Sequence, residues 1–295
     1  MAEKDSKPGR HCDHTKGARR FYSGSRYDEE TDVLIVGSGG AALCAALRSH
    51  AHSFRAIVIE KDKTIGGTTA WSGGGLWIPN NLYIQALGRK DSVEEARKYL
   101  DRIIGDIGPA SSPARRLAFL ENAPRMLEFL VEVGFQGRAS GNYPDYYPNL
   151  PGGSTEGRSV EGALFNLNRL PATYPLNSRK GGDLPIHSDE GGKLFCSMTS
   201  MSNFLFTVKA FGMRKFARRL LGHRMVGMGP SLVGQLLLLN LQRETLCGHT
   251  RHSPSSLSMA EPSKGPSSSA KEEWFEFGRI EESCLRRGGL LGMLT

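Results

Sequence analysis

Long hydrophobic runs are missing from this chain. The richest stretch, Leu232 to Leu241, is far shorter than the ~20 apolar residues a spanning helix needs, so no transmembrane segment is expected. Residues 1–30 are polar and charged, with no apolar core of the kind a secretory leader carries, and read as a disordered arm. Cysteine is scarce. Five residues, Cys12, Cys44, Cys196, Cys247 and Cys284, are odd in number and widely spaced, with no disulfide framework visible, which points to a reducing, cytoplasmic setting. His11-Cys12-Asp13-His14 offers metal-ligand types but lies in the arm, and no metal is expected. Acid is outnumbered, giving a formal charge of +8. The excess sits in the tails and in a Lys/Arg cluster at 214–224, without the interleaved aromatic residues of a nucleic-acid reader, so it reads as solvated surface and no nucleic-acid partner is expected. At 295 residues and 39% hydrophobic content, the chain can bury a substantial core in one large domain or two small ones.

What is present is concentrated in Thr31 to Asn80. Thr31-Asp32-Val33-Leu34-Ile35-Val36 reads as a buried strand. Gly37-Ser38-Gly39-Gly40-Ala41-Ala42 is a glycine turn leading into a helix through Leu43 to Arg48. A second strand, Ala56 to Ile59, ends in Glu60. This is the layout of a dinucleotide-binding βαβ unit. Gly37 permits the tight turn, Gly39 lets backbone approach a pyrophosphate, and Ala42 allows close helix–strand packing. The helix N-terminus offers N–H groups and a positive dipole end to phosphate. Glu60 follows Gly37 at about the ~20-residue spacing that places a carboxylate on a ribose hydroxyl. A glycine-rich turn alone is weak evidence, but here strand, helix and acid all accompany it.

Pattern alone does not separate FAD from NAD. The next stretch, Gly66-Gly67-Thr68-Thr69-Ala70-Trp71-Ser72-Gly73-Gly74-Gly75-Leu76-Trp77, combines glycine, hydroxyl side chains and two tryptophans. A flexible surface loop rarely holds two tryptophans, whereas small and hydroxylated residues suit backbone wrapped around a flat ligand. With Val58-Ile59-Glu60-Lys61, this segment resembles the flavoproteins of the fumarate reductase and 3-ketosteroid-Δ1-dehydrogenase superfamily, and its Thr-Thr-Ala-Trp-Ser-Gly-Gly form looks most like the ketosteroid dehydrogenases. The resemblance implies an α/β fold, a Rossmann-like FAD-binding domain, with the 66–74 segment packed against flavin and ribityl chain and Glu60 on the adenosine ribose. The cofactor-binding set is then Gly37, Ser38, Gly39, Gly40, Ala41, Ala42, Glu60, Lys61, Gly66, Gly67, Thr68, Thr69, Ala70, Ser72, Gly73 and Gly74.

Further along, Ser92-Val93-Glu94-Glu95 is a capping box opening a helix whose apolar face runs from Val93 to Ile107 and ends at Gly108-Pro109. Ser112-Pro113 starts another, which Pro124 is expected to divide in two. Prolines exclude helix from Tyr143-Pro144-Asp145-Tyr146-Tyr147-Pro148. On chemistry alone these tyrosines are amphipathic packing. The ketosteroid dehydrogenases carry an Asp-Tyr-Tyr at this distance, and the resemblance implies that Tyr146 lines the active site in a supporting role. Residues 162–210 read as a long surface excursion, Phe211 to Arg224 as a basic helix, and Met228 to Leu237 as the helix before the family's next strand.

The resemblance stops near 243, so the domain reads as incomplete, spanning 31–243, followed by a disordered tail over 244–295. The genetic code offers a sharper account. Read from each third base, the codons permitted from Cys247 onward allow Trp-Thr-His-Thr-Pro-Leu, and Met259-Ala260 forces Gly; farther on, Glu272 to Arg279 allows Val-Arg-Val-Arg-Ala. These are the family's next motifs, in order. Residues after about 243–246 therefore read as an out-of-frame translation, with the main catalytic residues beyond them. The activity the resemblance implies is 1,2-desaturation of a 3-oxo steroid or related triterpenoid, with an external electron acceptor. Two alternatives stand beside it: a fumarate-reductase-type flavoprotein, and an inactive truncated flavin-domain fragment.

Overall fold

A computed structural model of the chain describes residues 31–105, 107–141, 143–177, 184–243 and 246–249. Strand β1 (Val33–Val36), helix α1 (Gly40–Ala51) and strand β2 (Ala56–Glu60) form the expected βαβ unit. The two strands pair in parallel with Val33 opposite Ala56 and Val36 opposite Ile59. A third parallel strand, β8 (Leu246–His249), lies on the other side of β2, giving the order β1-β2-β8. The sheet thus continues six residues past the expected domain boundary at 243, and 246–249 is strand, not disordered tail. The arm at 1–30, with its His-Cys-Asp-His run, and residues 250–295 lie outside the described residues.

β1 departs from the buried strand expected. Ile35 is buried, but Leu34 and Val36 are 38% and 54% exposed. Side chains alternate across a strand, and α1 covers one face only, through Ala42 and Ala46 against Val33, Ile35, Ala56 and Val58.

The main core lies on the other side of α1. Its Leu43 and Leu47 pack with Leu232, Val233, Leu236 and Leu237 of helix α9 (Met228–Leu241), and with Leu127 and Leu130 of helix α5 (Pro113–Glu132). α9 is apolar all round, as a fully enclosed helix must be, and its polar residues are committed to neighbouring backbone. The Asn240 amide donates to Leu43 O at 3.0 Å, and Gln235 Oε1 accepts from Gln136 N at 2.8 Å.

α5 runs unbroken through Pro124, contrary to the division expected. Proline removes one backbone donor, but Leu120, Ala123, Leu127 and Leu130 are all buried, so tertiary packing holds the helix across the missing bond. Helix α4 (Val93–Ile104) is N-capped by the Ser92 side chain, which accepts from Glu95 N. It stops at Gly105, φ 68°, before the expected end, which leaves Ile107 exposed. A small antiparallel sheet packs beside α9: β3 (Leu76–Trp77), β5 (Ser159–Gly162) and β4 (Gly137–Ala139), in the order β3-β5-β4. The stretch read as a surface excursion contains structure of its own: β6 (Phe165–Asn166), α6 (Gly191–Phe195) and α7 (Met201–Val208). The basic stretch is a π-helix (Lys209–Ala217) continuing into α8 (Arg218–Leu220), and β7 (Met225–Val226) pairs antiparallel with β6.

Candidate dinucleotide site

The glycine turn is built as its spacing requires. Gly37 sits at φ 92°, a conformation that glycine adopts without cost, and a Cβ added there would meet nothing within 4 Å. The backbone is therefore bare and open at the point where a pyrophosphate would approach. Gly39 caps α1 without a side-chain hydrogen bond. The first-turn donors of a helix lack intrahelical partners. One of them, Gly40 N–H, is already taken by Thr69 Oγ1 at 3.1 Å, leaving Ala41 and Ala42 as the donors facing the turn.

Glu60 is buried at the end of β2. Its Oε2 accepts from Ser38 N at 2.9 Å and from Ser38 Oγ at 2.5 Å, and its Oε1 accepts from Asp62 N at 3.0 Å. The carboxylate expected on a ribose thus also ties the glycine turn to the next loop. Ser38 Oγ accepts in turn from Gly66 N at 2.9 Å. Ser38 is in this way the joint between the turn, the β2 carboxylate and the following loop. Sequence patterns treat it as a free position between two glycines.

The loop from Gly66 lies across the N-terminus of α1. Gly66 is left-handed, φ 107°, and a Cβ there would come within 2.8 Å of Ala70 Cβ and of Val233 Cγ1. Helix α2 (Gly67–Trp71) then turns the chain so that Ala70 points into the core while Thr68 stays exposed. Ser72 Oγ donates to Thr69 O at 2.8 Å and accepts from Gly74 N at 3.0 Å. Gly73 and Ser72 are exposed along the same loop, and Gly74 is buried. Two supports escaped sequence reasoning. Gly229, at the start of α9, donates its N–H to Ser72 O at 3.1 Å, and its Cα faces Thr69 O so closely that a Cβ would lie 2.3 Å away. Met228 before it is forced to φ 56°, which is strained for a bulky residue. The signal was there in Gly227-Met228-Gly229-Pro230, but it carries no chemistry of its own. From the other side Asn177 Oδ1 accepts from Trp71 Nε1 at 2.7 Å.

The structure thus brings together Gly37, Ser38, Gly39, Gly40, Glu60, Gly66, Thr69, Ser72 and Gly74. Ala42 packs against the strands, Ala41 and Lys61 are exposed, and Ala70 contributes backbone alone. Tyr146 is not brought in: it is 87% exposed. Its neighbour Asp145 is buried and accepts from Trp77 Nε1 at 2.7 Å and from Arg158 at 2.8 Å. Arg158 also holds Asp91 at 2.9 Å. This buried pair of carboxylates on one guanidinium fixes the backbone on which Tyr146 is displayed.

A second charged cluster touches the flavin-like loop through Ser188, whose Oγ donates to Gly73 O at 3.0 Å and whose N–H donates to Glu161 Oε2 at 2.8 Å. Arg138 bridges Glu161 and Asp189, each at 2.9 Å. Burial would raise the Asp189 and Glu190 carboxyls, but the hydrogen bonds from Arg138 and Arg214 outweigh it and hold both below the ordinary carboxylate range. Burial, reinforced by Arg138, pushes the His187 imidazole down. Burial also pushes the Cys44 thiol up to about 12, which leaves it an inert core residue. Among the described residues no cluster of three or more metal-ligating side chains occurs, and no helix is long and apolar enough to cross a membrane.

Bare backbone at Gly37, helix donors beside it, a buried carboxylate at the end of β2 and a glycine-hydroxyl loop over the helix together fit the pyrophosphate, ribose and ring of FAD. Comparison with known proteins agrees. The family described as FAD binding domain matches residues 32–196. The chain is 36% identical over 213 residues to a 3-oxosteroid 1-dehydrogenase of Mycolicibacterium smegmatis, covering 70% of this chain and 37% of that protein. It is 38% identical over 189 residues to a 4-oxocyclohex-2-ene-1-carboxylate 5-dehydrogenase of Sinomonas cyclohexanicum, covering 60% and 30%. The crystal structure of a 3-ketosteroid delta1-dehydrogenase from Sterolibacterium denitrificans, in complex with 1,4-androstadiene-3,17-dione, superposes with a TM-score of 0.65 at 30% identity, over 74% of this chain and 40% of that one. The chain therefore spans well under half the length of these relatives. The domain match covers more than half of the present chain, which belongs to the FAD-binding-domain family.

Proposed function

We propose that this chain supplies the FAD-binding part of a dehydrogenase that introduces a double bond beside the ring ketone of a 3-oxo steroid or related triterpenoid. The observation that carries the reading is the closure of the Thr69 loop on Gly40 at the N-terminus of α1, with Gly229 behind it. The relatives named above share the chemical theme of a ring ketone with dehydrogenation near it. Bound FAD would supply the hydride acceptor. The roles of the chain's own residues are to bind and orient. Ala41 and Ala42 N–H hold the pyrophosphate, Glu60 holds the ribose, and Gly66, Gly67, Thr68, Ser72, Gly73 and Gly74 line the ribityl chain and ring. Tyr146, next to the Asp145 that Arg158 anchors, has a supporting role toward a tyrosine that takes the α proton. The flavin is reoxidised by an external acceptor, and the setting is cytoplasmic, without a nucleic-acid partner. Residues after about 243–246 belong to another reading frame, and the tyrosine base and the group that polarises the ketone lie in the frame that replaces them.

Two measurements test this. Purification in the presence of FAD should give near-stoichiometric flavin with a flavin absorption spectrum; a flavin-free protein would mean an inert fragment. Sequencing the transcript across codons 240–250 should reveal a base shift or intron that restores the Trp-Thr-His-Thr frame, and the restored protein should desaturate a 3-oxosteroid. A transcript encoding 244–295 as written would end the frame proposal.

A further inference from the structure

The apolar stripe of α7 faces outward. Met201, Phe204, Leu205 and Val208 fall at i, i+3, i+4 and i+7, the spacing that places four side chains on one helix face, and all four are exposed, Met201 at 71%. The residues on the opposite side, Asn203, Phe206 and Thr207, are the ones half-buried against the protein. The adjoining elements continue the surface, with Phe195 89% exposed at the end of α6 and Leu220 90% exposed in α8. Singly exposed apolar residues are ordinary, but a contiguous array of this kind marks a contact surface.

Charge identifies what it contacts. From Gly191 to Arg243 the sequence has no aspartate or glutamate, while Lys193, Lys209, Arg218 and Arg219 stand exposed among the apolar residues. The core of a protein–protein interface is depleted of lysine and charge, and these cations would find no acid on their own side of it. Exposed apolar side chains rimmed by Lys and Arg are instead the composition of a helix lying in the headgroup region of a bilayer. We infer that the face formed by α6, α7, the π-helix and α8 docks peripherally on an anionic lipid surface, with the α7 stripe entering the acyl boundary and Lys209, Arg218 and Arg219 against lipid phosphates.

The test uses the 295-residue chain and reads lipid binding, independently of flavin or turnover. Sedimentation with vesicles of equimolar phosphatidylcholine and phosphatidylglycerol should carry the protein down, with binding that weakens as salt is raised, and pure phosphatidylcholine should retain far less. Each basic residue near an anionic surface contributes about a fivefold factor, so K209Q/R218Q/R219Q should bind on the order of a hundredfold more weakly. M201S/L205S should lose binding at high salt, and both variants keep the wild-type circular dichroism because all five residues are exposed. A tryptophan introduced as L205W should shift its emission to the blue with anionic vesicles alone. No sedimentation, equal binding to both vesicle types, or binding unchanged in both variants would overturn the inference. So would a vesicle-free oligomer that M201S/L205S dissolves, which would assign the face to a second copy of the chain.

Discussion

Arg158 holds two carboxylates at once. It is buried with two carboxylates, Asp91 and Asp145, and its guanidinium lies over the Trp77 and Tyr99 rings at 5.9 and 6.0 Å. Removing one partner of a buried ion pair strands the other charges, at about 3–5 kcal/mol. Arg158→Met should therefore lower the unfolding free energy read from urea titration by that amount, and a change within about 0.5 kcal/mol, the range of ordinary surface substitutions, would show that the cluster is only nominally buried. Around Arg138 the titration is the observable. His187, Asp189 and Glu190 all have pKa values below their ordinary ones. In each case the unfolded chain takes up protons that the folded one resists, so stability falls as the medium is acidified. The histidine contribution is complete above the ordinary imidazole value and is lost on passing below it; the two carboxyls lose theirs at lower pH. His187→Gln should remove the upper limb of this decline and leave the lower one, as read by urea titrations across the acid range. The sequence did not mark Asp91, Arg138, His187, Asp189 or Glu190, because an arginine, an aspartate and a histidine scattered between positions 91 and 190 become a cluster only through folding.

Among elements, the βαβ unit and the placement of Glu60 were readable, because glycine spacing, strand composition and the acid are local signals that tertiary structure has no reason to override. α5 was misjudged at Pro124 for the opposite reason: the penalty is local, but four buried side chains on the same helix outweigh it. Pro124→Ala restores the missing donor without enlarging the side chain, and should stabilise by about 1–3 kcal/mol. A thermal midpoint that fails to rise would show that the proline is relieving strain there. The start of α9 was invisible as part of the site because its contribution is shape. Gly229→Ala would drive a methyl into two carbonyl oxygens, Thr69 O at 2.3 Å and Ser72 O at 2.6 Å. The loop must move to admit it. FAD affinity should fall by about tenfold or more, measured as flavin retained after dialysis, while far-UV circular dichroism is kept; retention equal to the parent would remove α9 from the cofactor site.

For the molecule as a whole, the described sheet is lopsided: covered by α1 on one side, with Leu34 and Val36 of β1 exposed on the other. Sequence composition read β1 as enclosed, and it is composed for enclosure, yet Leu34 and Val36 stand exposed. Tyr146 repeats the pattern, held rigidly by its neighbour yet facing solvent. Exposed β-branched surface on a parallel sheet promotes association, so V36T, which keeps strand propensity while adding a hydroxyl, should raise the concentration at which light scattering by the 295-residue chain first appears. Unchanged scattering would mean that this face is already covered in solution. One earlier feature sets the tempo of the whole. Ser38 donates to Glu60 and accepts from Gly66, so the three arms of the site are wired together before any ligand arrives. The amide protons of Ser38 and Gly66 lie in turns, yet they should exchange with deuterated solvent as slowly as those of the strands, and the empty and loaded proteins should differ little there. Cofactor capture would then be limited by diffusion into a finished mould, with no slow rearrangement of the loop to wait for.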